Sequence, residues 1–183
     1  PALTPAARAR LNEQNQARNR PAETWLDRST YERCITRGIP VMPGAYNNNF
    51  QIVQSPGVVS ITIEMIHESR IIPVDGRPHV SSGVQQWLGD SRGRWEGQTL
   101  VIETTNFSDK TSFRGSTDTL HLVERFTRLS PTQIKYEVTV DDPTVYAKPW
   151  TATLFMKKET KDQIYEFACH EGNEAMFGTL HGE

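Results

Sequence analysis

Residues 87–107 read Trp87-Leu88-Gly89-Asp90-Ser91-Arg92-Gly93-Arg94-Trp95-Glu96-Gly97-Gln98-Thr99-Leu100-Val101-Ile102-Glu103-Thr104-Thr105-Asn106-Phe107. Gly89, Gly93 and Gly97 punctuate the first half, which reads as a turn-rich stretch feeding a strand over 99–107. Leu100 and Ile102 fall on one face of that strand, Val101 and Phe107 on the other, with polar Glu103 and Asn106 among them. Trp87 and Trp95 bracket Asp90, Arg92 and Arg94. Ordering aromatic rings and paired charges in a turn opposes conformational entropy, so the stretch reads as part of a site rather than as plain connection.

Strand patterns extend in both directions from it. Upstream they cover 50–54, 58–68 after a Pro56-Gly57 turn, and a short run over 70–73 before the turn Val74-Asp75-Gly76-Arg77. Downstream they cover 120–128, 133–141, 150–158 and 163–170, with tight connections at Ser130-Pro131-Thr132 and Thr160-Lys161-Asp162. These last four strands read as an antiparallel meander. Ile134, Tyr136, Val138 and Val140 face one way, Lys135, Glu137 and Thr139 the other. Short strands in up-and-down order predict a mainly β fold: a calycin-like closed barrel or a strongly curved sheet. Closure removes exposed edges, and a barrel of about eight strands holds one small ligand. An open sheet covered by the N-terminal helices is the alternative.

Ahead of the strands, Thr4-Pro5 reads as N-cap and first helical position. The helix runs to about Arg20, before Pro21. Its apolar face is thin (Ala7, Leu11, Ala17), which marks a peripheral arm and a candidate contact for a second copy of the chain. A second short helix is expected within 23–33, with Trp25, Leu26 and Tyr31 packed down, and a loop over 35–49. The expected division is an arm and loop over 1–49 and a barrel-like domain over 50–183.

The chain has 183 residues, enough for one domain with a core. Net charge is −2 with both signs interspersed and no basic stripe, which argues against a nucleic-acid partner. No apolar run approaches the roughly 20 residues of a membrane-spanning helix. The first residue is Pro1 rather than Met, so a removed leader or further upstream sequence is expected. Single cysteines are commonly buried thiols. The pair Cys34 and Cys169 would tie the arm to the last strand, and a disulfide between them suits a secreted or periplasmic protein.

Several stretches are diagnostic in combination: Tyr31-Glu32-Arg33-Cys34-Ile35-Thr36-Arg37-Gly38, Tyr46-Asn47-Asn48-Asn49, Ile66-His67-Glu68-Ser69-Arg70, Asp75-Gly76-Arg77-Pro78-His79, residues 89–97, Val123-Glu124-Arg125-Phe126-Thr127 and Ala168-Cys169-His170-Glu171-Gly172-Asn173. From about Ala2 to Gly178 the chain resembles a large, uncharacterised family of secreted proteins of soil and environmental bacteria. The resemblance implies export and more sequence upstream. It carries no established activity and transfers no catalytic residue.

Two catalytic patterns fail on context. Gly89-Asp90-Ser91-Arg92-Gly93 matches the G-x-S-x-G nucleophile elbow, but no helix follows the serine. The simpler reading is a turn in which Asp90 pairs with Arg92 or Arg94. His170-Glu171-Gly172-Asn173-Glu174 begins like a zinc-protease helix but lacks the second histidine. His67, His79, His121 and His170, with Glu68 or Glu103, are nonetheless suitable ligand types for zinc or another divalent ion, the one candidate cofactor. No phosphate-cradling glycine motif occurs, which disfavours nucleotide cofactors.

Glu64, Glu68 and Arg70 share one strand face. Inside a barrel they would form a carboxylate–guanidinium array in low dielectric; outside, a ladder of solvated pairs. The candidate acid–base group is His67 or His170, with Glu68 or Glu103 orienting it and Arg70 or Arg92 stabilising negative charge. Trp87, Arg92, Trp95, Glu103 and His79 are the candidate ligand-binding residues. His67, Glu68, Arg70, His170 and the 87–97 turn are expected at one mouth of the barrel. The expected function is a secreted small-molecule-binding barrel with lyase, isomerase or hydrolase chemistry on a sugar-like or aromatic substrate. The alternative is a non-catalytic extracellular structural or self-assembling protein.

Overall fold

The computed structural model describes residues 1–18, 20–42, 49–110 and 113–181. Gly44 and Asn47-Asn48 of the expected loop lie outside the described residues, as does part of the Tyr46-Asn47-Asn48-Asn49 stretch. The fold is mainly β, but the strands form two antiparallel sheets instead of one closed barrel. The first sheet holds β1 (Phe50–Ser55), β2 (Val58–Ile63) and β3 (Ser69–Pro73). The second is a five-stranded meander of β4 (Asp90–Glu96), β5 (Thr99–Thr105), β6 (His121–Ser130), β7 (Gln133–Asp141) and β8 (Trp150–Lys157). Helix α1 (Pro5–Arg18) precedes them and helix α2 (Glu174–His181) follows.

Three expectations about strands are corrected. Residues 87–97 are not simply a turn, because β4 occupies Asp90–Glu96 and makes a hairpin with β5 through Gly97 at φ 60°. Conversely, 163–170 forms no strand; Tyr165 stands 67% exposed and the segment runs unpaired to Cys169. The long second strand also ends early, at Ile63, where Ile66 and His67 adopt positive φ in a short 3-10 turn.

The register of the meander puts apolar side chains in rows across its inner face. One row runs Trp95, Leu100, Phe126, Tyr136, Leu154. The next runs Gly93, Ile102, Glu124, Val138, Ala152. Opposite them, β2 and β3 contribute Val59, Ile61, Ile63 and Ile72, all buried in the same core. Each such fully buried aliphatic side chain is worth roughly 1.5–3 kcal/mol relative to exposure. The sheets approach closely at Gly93, where a Cβ would lie 2.7 Å from Val74 Cγ1 and 3.0 Å from Ile72 Cγ2. A glycine is what lets β4 cross β3 at that separation.

Helix α1 is capped as expected: Thr4 Oγ1 accepts from Ala7 N at 3.1 Å. Its start is stitched to the 142–147 turn by Thr4 N to Val145 O (2.9 Å) and Ala147 N to Ala2 O (3.0 Å), and Ala7 is buried in the core. The second expected helix reduces to the 3-10 turn Trp25–Asp27, held by a Thr24–Asp27 capping box. Trp25 and Leu26 are exposed rather than packed down. Cys34 and Cys169 form a disulfide across 135 residues of sequence. By loop-closure entropy alone that bridge disfavours the unfolded chain by roughly 5 kcal/mol.

Candidate functional site

Three hairpin turns gather at one end of the two-sheet stack: 55–58, 96–99 and 130–133. Between them lies an open cleft of about 610 Å³. Its walls are Ile52 and Val59 from the first sheet and Leu100, Phe126 and Ile134 from the second. Leu129 and Trp95 stand at the rim, both about half exposed. The Phe126 and Tyr136 rings lie 4.7 Å apart behind the cleft and give it a rigid back wall. Gln54, Gln98, Arg128 and Ser130 are its polar residues. Apolar walls with a few convergent polar side chains are the usual composition of a small-molecule pocket. No carboxylate, imidazole or thiol is among the lining residues.

Arg70 points into the core between the sheets, but the expected array with Glu64 and Glu68 does not form: β2 ends before both glutamates, and Glu64 accepts from Asn49 Nδ2 at 2.8 Å. It is bidentate to Glu124, with Nη1 to Oε1 at 3.1 Å and Nη2 to Oε2 at 2.6 Å. Nη2 also donates to Ser91 Oγ (3.1 Å) and Thr104 Oγ1 (3.2 Å), and Tyr136 OH donates to Glu124 Oε1 at 2.8 Å. Burial first, then the adjacent Glu124 charge, pushes the Tyr136 phenol well above its ordinary range, so it stays a donor. Every member is buried, which makes this a structural network. Ser91 serves it as a ligand of Arg70, not as a nucleophile.

The other expected site residues are dispersed. His67 Nδ1 meets the Phe167 carbonyl at 3.0 Å. His170 is exposed on the turn after Cys169. Glu68 accepts from Arg37 N at 2.9 Å, and burial raises its pKa against the lowering effect of hydrogen bonds from Thr36 and Arg37. Glu103 and His121 pair at 2.8 Å on the outer face of the meander. Arg92 also lies on that outer face, where Nη1 donates to Asp90 Oδ1 at 2.7 Å and Nε to Pro78 O at 2.8 Å. Trp87 belongs to a separate cavity beside the N-terminal segment. The expected shared mouth is therefore not formed. Alternation along β4 separates its two halves: Ser91, Gly93 and Trp95 face inward, while Asp90, Arg92, Arg94 and Glu96 face out.

His79 Nδ1 lies 2.7 Å from Asp90 Oδ2, a spacing that orients an imidazole as in an acid–base dyad. Its Nε2, however, is buried and has no hydrogen-bond partner among the described residues, so that nitrogen meets no solvent-borne substrate. Among the described residues no three His, Cys, Asp or Glu side chains come together as a metal would need.

What sequence reasoning missed is the cleft itself: Ile52, Val59, Leu129 and Ile134, with Gln54, Gln98 and Arg128. The available signal was that all three hairpin turns fall at the same strand ends in an up-and-down order. Comparison with protein-family models, with curated proteins and with solved structures finds no match for the chain.

Proposed function

We propose that the protein binds a small, largely apolar or aromatic molecule in the cleft between its hairpin turns and does not transform it. The observation that carries this reading is the cleft's composition: aliphatic and aromatic walls, one indole at the rim, and Arg128 with two glutamines as orienting groups. A flat apolar ligand would lie against Trp95 and Phe126, and an anionic substituent would meet Arg128. The groups expected to perform acid–base chemistry, His67, His170, Glu68 and Glu103, are not among the residues that line the cleft. A secreted or periplasmic setting accompanies this reading, supported by the disulfide and by the resemblance to exported proteins.

The test uses 8-anilinonaphthalene-1-sulfonate, an apolar aromatic anion of suitable chemistry. Fluorescence titration of the folded protein should saturate at one probe per chain. Trp95→Ala and Arg128→Gln should each weaken binding roughly tenfold, as expected for a lost aromatic wall or charge-assisted contact. Unsaturable binding, or binding indifferent to both substitutions, would refute the cleft as a ligand site.

A further inference from the structure

A second cavity, of about 870 Å³, lies between the end of α1, the 20–35 segment and Trp87. Its chemistry differs from that of the cleft. Arg20, Arg28, Arg33 and Lys110 line it together with two indoles, Trp25 and Trp87. Two acidic residues also line it, Glu23 and Asp27. The Asp27 carboxylate is committed to the local turn, accepting from Thr24 N at 2.7 Å and Glu23 N at 3.0 Å. The hydrogen bond from Thr24 N is the main cause that holds its pKa below the ordinary value. Nε of Arg28 and Nε of Arg33 are buried without a hydrogen-bond partner among the described residues, so a ligand in the cavity would meet the terminal Nη groups of these two arginines. The Arg33 guanidinium sits 5.0 Å from the centre of the Trp25 ring, which fixes its plane beside the cavity.

Two exposed indoles next to the Arg28 and Arg33 guanidinium groups define a ligand. Trp25 is 55% exposed and Trp87 38%, so both offer flat apolar surface to something that covers it. Guanidinium groups recognise carboxylates bidentately. Gln14, Ser29 and Thr30 add polar groups along the same wall, which suits a ligand rich in hydroxyls. Six charged residues, Arg20, Glu23, Asp27, Arg28, Arg33 and Lys110, share this lining with the two indoles, a more polar wall than the cleft's and better suited to a saccharide than to an aromatic acid. We propose that the cavity binds an acidic saccharide, a short chain of pyranose rings bearing carboxylates. Its rings stack on Trp25 and Trp87, and its carboxylates pair with Arg28 and Arg33. The site is independent of the cleft between the hairpin turns.

The test is isothermal titration of the full chain with trigalacturonate, alongside maltotriose as a neutral trimer and sodium sulfate as an anion without rings. Trigalacturonate should bind at one per chain, and more weakly as salt rises. Trp25→Ala, Trp87→Ala and Arg33→Gln should each weaken it roughly tenfold, the size of one lost stacking or charge-assisted contact. Trp95→Ala in the other cleft should leave it unchanged. Thermal melts of the variants establish that each is folded. Four outcomes would overturn the proposal: no saturation with trigalacturonate, equal binding of maltotriose, equal binding of sulfate, or full affinity in the folded Trp25 and Arg33 variants.

Discussion

Arg70 and Glu124 join the two sheets through the middle of the core, with two charge-assisted contacts at 3.1 and 2.6 Å and neither side chain reaching solvent. One residue comes from β3 and the other from β6, so this contact fixes how the sheets sit over one another. Such a pair behaves asymmetrically under mutation. Glu124→Leu alone leaves a buried guanidinium without its carboxylate and should cost about 3–5 kcal/mol. The double change Arg70→Met with Glu124→Leu should cost much less and is expected to stay cooperative in urea unfolding. A Glu124→Leu loss below about 1 kcal/mol would mean the charge is solvated in the native state.

Tyr136 completes that network, and its raised pKa gives it a pH signature. The unfolded phenol ionises near its ordinary value of 10.0 while the folded one resists. Its contribution is therefore full below pH 10.0 and falls away as pH rises toward the folded value. Tyr136→Phe should cost about 1 kcal/mol at neutral pH and should flatten the loss of stability above pH 10.0. Urea midpoints measured at neutral and alkaline pH test both parts.

Glu68 predicts a slope of the same sign in the acid range. Burial is the main cause that raises its pKa above the ordinary 4.5. The native state thus takes up this proton before the unfolded chain does, so falling pH through the folded pKa toward 4.5 favours folding at this position. Glu68→Gln keeps an oxygen acceptor for Arg37 N and removes the titration. Relative to the parent, the variant should gain stability at neutral pH and converge with it below 4.5. Parallel curves across the range would show that Glu68 is solvated.

Gly93 is required by contact rather than by backbone angle. A Cβ there would collide with Ile72 of β3 and with Val74 just after it, both apolar. Gly93→Ala should cost about 1–3 kcal/mol, and Gly93→Val more. Chemical denaturation of the two variants gives the order directly.

The bridge between Cys34 and Cys169 is testable by mass alone. Alkylation under denaturing conditions without reductant should add no label, and with reductant it should add a label to each cysteine. Reduction should lower the urea midpoint, by up to about 5 kcal/mol in free energy if chain entropy accounts for the whole effect.

Much of the sheet architecture was legible because period-2 alternation is strong where one face is buried. Ile134, Tyr136, Val138 and Val140 marked β7 to its observed limits. Between 90 and 96 the same alternation was present, charged residues outward and Ser91, Gly93 and Trp95 inward, but the glycines made it resemble a turn. Misreading that strand merged its two faces and produced a single imagined mouth. The outcome for 163–170 has a different cause. Its composition favours a strand, but a strand also needs a partner, and Cys169 is drawn to Cys34 instead. The cleft and the cavity beside Trp87 depend on how separate segments meet in space, which no local pattern encodes.

Among the described strands, β1 and β8 each have a neighbour on one side only. Residues 158–164 run beside both of them, along a groove of about 1060 Å³ lined by Phe50, Ile52, Leu154 and Met156. That passage is anchored at one end by β8 and at the other by the bond to Cys34. β8 carries no charge before Lys157 and has no proline or glycine, the composition of an edge that recruits other chains when uncovered. The disulfide thus guards colloidal behaviour as well as folding: reductant at temperatures far below unfolding should turn a clear solution of this protein turbid.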